Sequence, residues 1–241
     1  MTGGDPTLRI AFDMDGVLAD MHAALALEAE RMFDEHQQSM VEALEDALEH
    51  QPPAPPAVAR PDSASHFPLT AQHTAMLWQR VAGTENFWET LAETEPGIVA
   101  RLARLAEDRR WEVLFITQRP PTRGATVQKQ TQAWLRRHGY DFPSVCTTRG
   151  SRGAIAMALD LDVVVDDRFE GCADVVDDSH ARAMLVWRQL DEVVASRARR
   201  LGITVVHSVG TILDLLDTAE APPFPCKPGL MRRLRQALRR T

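Results

Sequence analysis

Two aspartates, Asp13 and Asp15, stand two residues apart directly after the apolar run Leu8–Phe12. In a β-strand, residues i and i+2 point to the same side. The following Gly16 allows a sharp backbone turn without a Cβ penalty. We therefore expect the pair at the carboxyl edge of a sheet, where open α/β folds bind ligands. Two like charges this close are typical of a divalent-cation site, or of a nucleophile working beside an acid or base.

Polar side chains also follow a second apolar run, Glu112–Ile116. Thr117, Gln118 and Arg119 come next and offer a hydroxyl, an amide and a guanidinium. Together with backbone N–H groups, such side chains can hold the oxygens of a phosphate. The sequence therefore predicts a phosphate-binding role for these three residues.

A second acidic pair, Asp166 and Asp167, follows the apolar run Leu161–Val165. Four carboxylates at one sheet edge would require a cation, and oxygen ligands beside a phosphate favour Mg²⁺. The similar pair Asp177-Asp178 is predicted to lie in a loop, as a solvated turn or a helix cap.

The basic loop 147–153 precedes a predicted helix. One of its arginines is expected to balance the charge of the acidic groups and of a phosphate. Arg152 is the residue nearest the helix, with Arg149 behind it.

Six short apolar runs are predicted to be buried strands, and amphipathic helices are predicted between most of them. Alternation of this kind predicts an α/β fold with a Rossmann-like, doubly wound parallel sheet. The predicted strands are Leu8–Phe12, Glu112–Ile116, Ser144–Thr147, Leu161–Val165, Ala183–Trp187 and Ile203–His207.

The stretch 19–95 between the first two strands is too long for a simple crossover. Its apolar periodicity predicts a mostly helical cap, interrupted by a stiff Pro-rich linker at 51–61. The core domain would then comprise residues 1–18 and 96–221.

Residues 222–241 form a basic C-terminal tail in which Leu230, Leu234 and Leu238 share one helical side. Two interpretations of this tail stay open. It is either a docking helix or a frayed solvated end, or else it makes a peripheral contact with a membrane or RNA.

Composition excludes some classes of protein. The 241 residues are 44% hydrophobic, enough for a real core, and the formal net charge of -7 argues against a binder of nucleic acid polymers. Three cysteines without metal-ligand spacing fit a reduced compartment. No apolar run approaches a membrane span of roughly 20 residues, and the N-terminus has no signal-peptide pattern. We expect a cytoplasmic protein.

The order of these motifs resembles the haloacid dehalogenase superfamily of phosphohydrolases. The resemblance covers residues 7–217, and the insertion is similar to the helical C1 cap of that superfamily. The matching pieces are Asp13-x-Asp15-Gly16-Val17, Thr117, a cation and Asp166-Asp167. Within the family, Asn86-Phe87-Trp88 and Glu95-Pro96-Gly97 are similar to 5′(3′)-deoxyribonucleotidases and their bacterial relatives.

The resemblance implies a mechanism. Asp13 would attack phosphorus to form an aspartyl-phosphate, and Asp15 would protonate the leaving oxygen and later activate water. Mg²⁺ would be held by Asp13, the backbone carbonyl of Asp15, and a carboxylate of Asp166 or Asp167.

The chain departs from the family at the third motif, which is usually a lysine. The chain has lysines only at 129, in the helix after the second motif, and at 227, in the tail. Arg152 is expected to take the lysine's place, although the two residue types are not interchangeable.

The expected function is therefore Mg²⁺-dependent hydrolysis of a phosphomonoester, with a nucleoside monophosphate as the expected substrate. Phe87 and Trp88 are candidates to stack on a nucleobase in the substrate pocket, or else to pack the cap onto the core. Two alternatives stay open: a sugar-phosphate or other small-molecule phosphatase, and a catalytically impaired protein that binds a phosphorylated ligand. No sequence feature specifies an oligomeric state.

Overall fold

A six-stranded parallel sheet forms the centre of the computed structural model, which describes residues 8–33, 71–189 and 192–218. The strand order is β3-β2-β1-β4-β5-β6, with every neighbouring pair parallel. This is a doubly wound, Rossmann-like order, and the predicted fold class is confirmed. The strands are β1 Arg9–Asp13, β2 Glu112–Thr117, β3 Ser144–Thr147, β4 Val163–Asp166, β5 Arg182–Val186 and β6 Thr204–Val206.

Helices connect the strands, and the long insertion contributes further helices between β1 and β2. The helices are α1 over 21–33, α2 Ala71–Gly83, a 3₁₀ helix Phe87–Glu89, α3 Ile98–Asp108, α4 Val127–Arg137, α5 Arg152–Ala158, α6 Phe169–Asp178, α7 Glu192–Arg200 and α8 Val209–Thr218. In the described part of the chain, no helix is long and apolar enough to cross a membrane.

Each face of the sheet carries its own apolar core. Ile10 and Phe12 point to one face, where they pack with residues of α2, α3, α4, α8 and the 3₁₀ helix. Ala11 points to the other face, which is covered by residues of α5, α6 and α7. The alternation of side chains along a strand explains why consecutive residues of β1 serve opposite cores. Burial on both faces also explains the near-continuous apolar strands.

The predicted strands coincide with the observed ones, with ends displaced by one or two residues; the predicted Leu161–Val165, for example, is observed as Val163–Asp166. The described parts of the insertion include α1 and α2, and the division of the chain into a core and a helical cap stays a prediction. The Pro-rich linker at 51–61 and the tail 222–241 lie outside the described residues.

The loop predicted around Asp177-Asp178 is wrong, because both residues belong to the last turn of α6. Cys172 and Val175, one helical turn apart, are buried against the sheet, and their burial stabilises this segment as a helix.

Candidate functional site

The carboxyl ends of β1 and β4 bring Asp13 and Asp166 together. Phe12 pairs with Val165 across these strands, so one further step of the same register places the two aspartates opposite each other. The direction of chain progression across the sheet reverses between β1 and β4. Open α/β sheets form their ligand crevice at such a switch point.

Arg152, Asp13 and Asp166 form a cluster that we call the Asp13 cluster. Nη2 of Arg152 donates to Oδ1 of Asp13, and Nε donates to Oδ2 of Asp166 at 3.1 Å. The aspartates are only 8% and 1% exposed. Each also accepts a backbone N–H, from Asp15 at 3.0 Å and from Arg168 at 2.8 Å. One guanidinium therefore serves two buried carboxylates.

The Asp13 cluster holds more negative than positive charge. Burial, followed by repulsion from Asp166, raises the pKa of Asp13 well above its usual value, although Arg152 opposes the shift. Burial likewise raises the pKa of Asp166. The neighbouring Asp167 has a pKa raised to about 6 by burial and by Asp166, with His22 opposing the shift. These shifts mark a place where a further cation would be stabilising.

Close packing of α5 against α6 places Arg152. A Cβ on Gly153 would lie 2.1 Å from the carbonyl oxygen of Asp174, so only glycine permits this approach of the two helices. The hydroxyl of Ser151 caps α5 by accepting from the N–H groups of Gly153 at 3.2 Å and Ala154 at 3.3 Å. Arg152 is thus the first residue of a helix whose start and approach to α6 are both fixed.

The turn after Asp15 depends on Gly16. Its φ is +76°, a left-handed conformation that favours glycine. A Cβ there would lie 1.9 Å from Oδ2 of Asp167, so the Asp167 carboxylate packs directly over the glycine. Arg188 donates to the Gly16 carbonyl and thereby anchors the turn to the end of β5.

A second cluster surrounds Asp15, and we call it the Asp15 cluster: Asp15, Arg119, Thr131 and Trp88. Nε of Arg119 lies 3.0 and 2.9 Å from the two Asp15 carboxylate oxygens, and Nη2 donates to Oδ1 at 2.7 Å. Nη1 donates to the Thr131 hydroxyl at 3.1 Å. The guanidinium carbon lies 4.9 Å from the centroid of the Trp88 ring. Here one guanidinium serves one carboxylate.

The structure separates the three residues predicted to bind phosphate after β2. Arg119 is directed to Asp15 and Thr131. Gln118 is exposed. Thr117 is buried, and its hydroxyl lies 3.5 Å from Oδ2 of Asp15. Of the three, Thr117 and Arg119 reach Asp15, and phosphate binding by these residues stays a prediction.

Phe87 and Trp88 are buried in the apolar core, at 2% and 0% exposure. Their rings meet edge to face, with centroids 5.1 Å apart. The indole N–H of Trp88 donates to the carbonyl of Pro120 at 3.0 Å, and its backbone N–H donates to Oε1 of Gln130 at 3.1 Å. In this structure both rings therefore pack the insertion onto the core and do not line a substrate pocket. This corrects the stacking interpretation.

Three of the four carboxylates predicted to lie near a metal are engaged by arginines. Within residues 8–33, 71–189 and 192–218, no three His, Cys, Asp or Glu side chains are arranged to hold a metal ion. The Asp15 carboxylate is held by Arg119, and Arg152 lies between Asp13 and Asp166. The carboxylate oxygens of the Asp13 cluster are the donors that suit a magnesium ion, because this cluster holds two carboxylates and one guanidinium.

Sequence reasoning missed the contribution of Thr131 to the site. Its hydroxyl is fully buried and accepts from Arg119. A signal was present, since Thr131 lies four residues before Leu135 and therefore on the buried side of α4. A polar residue on an apolar helix face needs a partner.

Comparisons with known proteins give structural similarity only. No family model and no curated protein matches the chain. A HAD family hydrolase from Deinococcus radiodurans R1, solved with bound phosphate and sodium, is 15% identical; the match covers 88% of this chain and 96% of that one, with a TM-score of 0.49. A dehalogenase is also 15% identical, covering 90% and 100%, with a TM-score of 0.49. A phosphonoacetaldehyde hydrolase-like protein from Oleispira antarctica is 13% identical, covering 88% and 93%, with a TM-score of 0.48.

Proposed function

We propose that this chain hydrolyses phosphomonoesters through an aspartyl-phosphate on Asp13. One observation carries the proposal: a buried carboxylate at the switch point of the sheet shares its arginine with Asp166. Asp15, on the same loop, supplies a second carboxylate held by its own arginine. A nucleophile beside an acid or base, with cationic charge to receive a phosphate, is the equipment that this reaction needs.

The proposed reaction has two steps, transfer of the phosphoryl group to Asp13 and hydrolysis of the aspartyl-phosphate. An Asp13 oxygen attacks phosphorus, and the bond to the ester oxygen breaks as the new P–O bond forms. Asp15 gives its proton to that leaving oxygen. Asp15 then takes a proton from a water molecule, which attacks the phosphorus of the aspartyl-phosphate. Inorganic phosphate leaves, and the Asp13 carboxylate is restored. Arg152 balances the charge of Asp13 at the start and end of the cycle.

We propose that Asp13, Asp166 or Asp167, and the backbone carbonyl of Asp15 hold Mg²⁺. Oxygen donors of these types suit this ion. Asp13 and Asp166 share the single guanidinium of Arg152. Burial is the largest cause that raises the pKa values of Asp13, Asp166 and Asp167, so the site disfavours their negative charge. When bound, the ion would reduce the repulsion between the nucleophile and an anionic phosphate.

The substrate is proposed to be a small phosphorylated metabolite of the cytoplasm, and a nucleic acid polymer is not expected at a net charge of -7. Nucleoside monophosphates are the first class to test because of the motif resemblance around Asn86. The buried position of Trp88 removes the argument from base stacking, which leaves sugar phosphates as the alternative. Binding of a phosphorylated ligand without turnover is supported by one observation, the engagement of both Asp15 oxygens by Arg119.

The test is release of inorganic phosphate from p-nitrophenyl phosphate and from a panel of nucleotides and sugar phosphates, with Mg²⁺ or with EDTA. We expect metal-dependent release by the wild type and by Asp177→Asn, which changes an exposed aspartate at the end of α6. We expect none from Asp13→Asn. Saturable nucleotide binding without turnover would support the binding alternative, and equal activity of Asp13→Asn would refute the nucleophile.

A further inference from the structure

The Arg119 guanidinium is enclosed along its edge and over its face. Two of its nitrogens grip the Asp15 carboxylate at 2.7 to 3.0 Å, and the third donates to Thr131. The Trp88 ring lies against the guanidinium at 4.9 Å. The Arg119 side chain is fully buried, whereas that of Asp15 keeps 15% of its surface exposed. Arg119 therefore lies behind Asp15, which is the member of the pair that reaches the crevice.

We propose that Arg119 is a positioning residue that orients the Asp15 carboxylate for proton transfer to the leaving oxygen, an inference that rests on the proposed phosphatase function. A bidentate contact fixes both the place and the rotation of a carboxylate plane. Asp15 lies beyond the end of β1, at an isolated bridge to Ala19 that flanks the turn 16–18. Without the fork, its side chain would be free to adopt several rotamers, and few of them would aim an oxygen at the leaving group.

The other contacts of Arg119 make its position rigid. Thr131 belongs to α4, and Trp88 belongs to the 3₁₀ helix of the insertion. The indole N–H of Trp88 bonds to the carbonyl of Pro120, the residue next to Arg119. Two other chain segments thus fix the guanidinium, and through it the direction of Asp15. The insertion contributes to the site by supporting this arginine.

A leaving-group series distinguishes positioning from packing. The measurement is kcat/KM for an alkyl phosphate, phenyl phosphate and p-nitrophenyl phosphate, with the wild type, Arg119→Gln and Arg119→Lys. An alkoxide needs a proton in order to leave, whereas p-nitrophenolate leaves without one. We expect Arg119→Gln to lose about 10²-fold or more on the alkyl ester, as removal of acid catalysis does, and only a few-fold on p-nitrophenyl phosphate. Arg119→Lys keeps the charge without the fork and should resemble Arg119→Gln.

Two further variants complete the experiment. Arg137→Gln is the matched control. Arg137 is an exposed arginine of α4, and it binds Glu89, which belongs to the same 3₁₀ helix as Trp88. It should show no dependence on the leaving group. Thr131→Val removes only the Nη1 contact of Arg119 and guards against misfolding of the Arg119 variants. It should show the same selectivity on a smaller scale, with an unchanged circular dichroism spectrum.

The outcomes separate the two proposals. An equal loss on all three esters in folded Arg119 variants overturns the positioning role alone and indicates packing. A rise in KM for every ester with kcat unchanged also overturns it and indicates that Arg119 binds phosphate. A wild type that hydrolyses none of the esters in Mg²⁺ overturns the proposed function and this inference with it.

Discussion

Asp13 and Asp15 are two residues apart, yet their surroundings differ in charge. Asp13 shares Arg152 with Asp166, so two buried carboxylates depend on one guanidinium. Asp15 has Arg119 to itself, in a fork that matches one charge with another. The pKa of Asp13 is raised well above its usual value as a result of burial and of the second carboxylate.

The difference shows two uses of arginine within one site. The Asp13 cluster leaves negative charge uncompensated, which suits a place where a metal ion arrives and a phosphate must approach a nucleophile. The Asp15 cluster leaves none, so its arginine contributes orientation rather than attraction for a ligand. Four predictions test this distinction.

The largest expected effect is loss of turnover in Asp13→Asn. If the Asp13 carboxylate forms the covalent intermediate, the amide of asparagine cannot act as the nucleophile in its place. Phosphate release should then fall by about 10⁴-fold or more. The measurement is phosphate release under single-turnover conditions with Mg²⁺. A loss below tenfold would mean that Asp13 only binds the substrate.

The same two sites should respond in opposite ways when stability is measured. Asp15→Asn leaves the Arg119 charge buried without a partner, which should lower the free energy of unfolding by about 3–5 kcal/mol. Without metal, Asp13→Asn should leave the free energy of unfolding unchanged or raise it. The fold disfavours the negative charge of Asp13, and Arg152 would still form its ion pair with Asp166. Urea unfolding at pH 8 in EDTA gives both values. Equal losses in the two variants would contradict the distinction between the clusters.

The geometry of the Asp13 cluster should depend on the contact between α5 and α6. Gly153→Ala would force a Cβ toward the carbonyl of Asp174, and overpacking of this kind costs about 1–3 kcal/mol. The shift of α5 should also displace Arg152 and lower kcat/KM. Gly83→Ala is the matched control, because a Cβ there meets nothing within 4 Å. The prediction fails if Gly153→Ala unfolds at the same urea concentration as Gly83→Ala.

The sequence is sufficient to predict which groups reach the sheet edge. Strands alternating with helices imply a parallel sheet, and the carboxyl ends of parallel strands share one edge. If β1 and β4 are adjacent, Asp13 and Asp166 must therefore be neighbours. The structure shows that these two strands are adjacent. Arg152 was similarly predictable, since it begins a helix that follows a strand ending at the same edge.

Side-chain direction could not be predicted in the same way. Arg119 lies two residues beyond β2, outside the strand alternation that tells inward from outward. Its contact with Asp15 joins residues 104 positions apart, and that contact depends on Trp88 and Thr131 meeting from two other segments. The order of residues in the sequence does not show that Trp88 and Thr131 both contact Arg119. The same limit applies to Trp88, whose burial depends on tertiary packing rather than on residue type.

The smallest expected effect is the pH dependence of stability without metal. Asp167 has a pKa of about 6 in the folded protein against an ordinary value of 3.8, so between these values the folded state binds more protons than the unfolded state. Stability contributed by this group is present at low pH and lost as pH rises through about 6. The pKa of Asp13 is also raised, so its contribution to stability is likewise lost as pH rises.

In EDTA, we therefore expect wild-type stability to decrease between pH 5 and pH 8 by more than that of Asp13→Asn. The comparison with Asp13→Asn cancels the histidines and the surface carboxylates that titrate in both proteins. Added Mg²⁺ should raise the wild-type melting temperature more at pH 8 than at pH 5, because the ion binds ionised carboxylates. In Asp13→Asn that gain should shrink. A melting temperature that responds to Mg²⁺ equally at both pH values, or equally in both proteins, would show that the ion binds away from the Asp13 cluster.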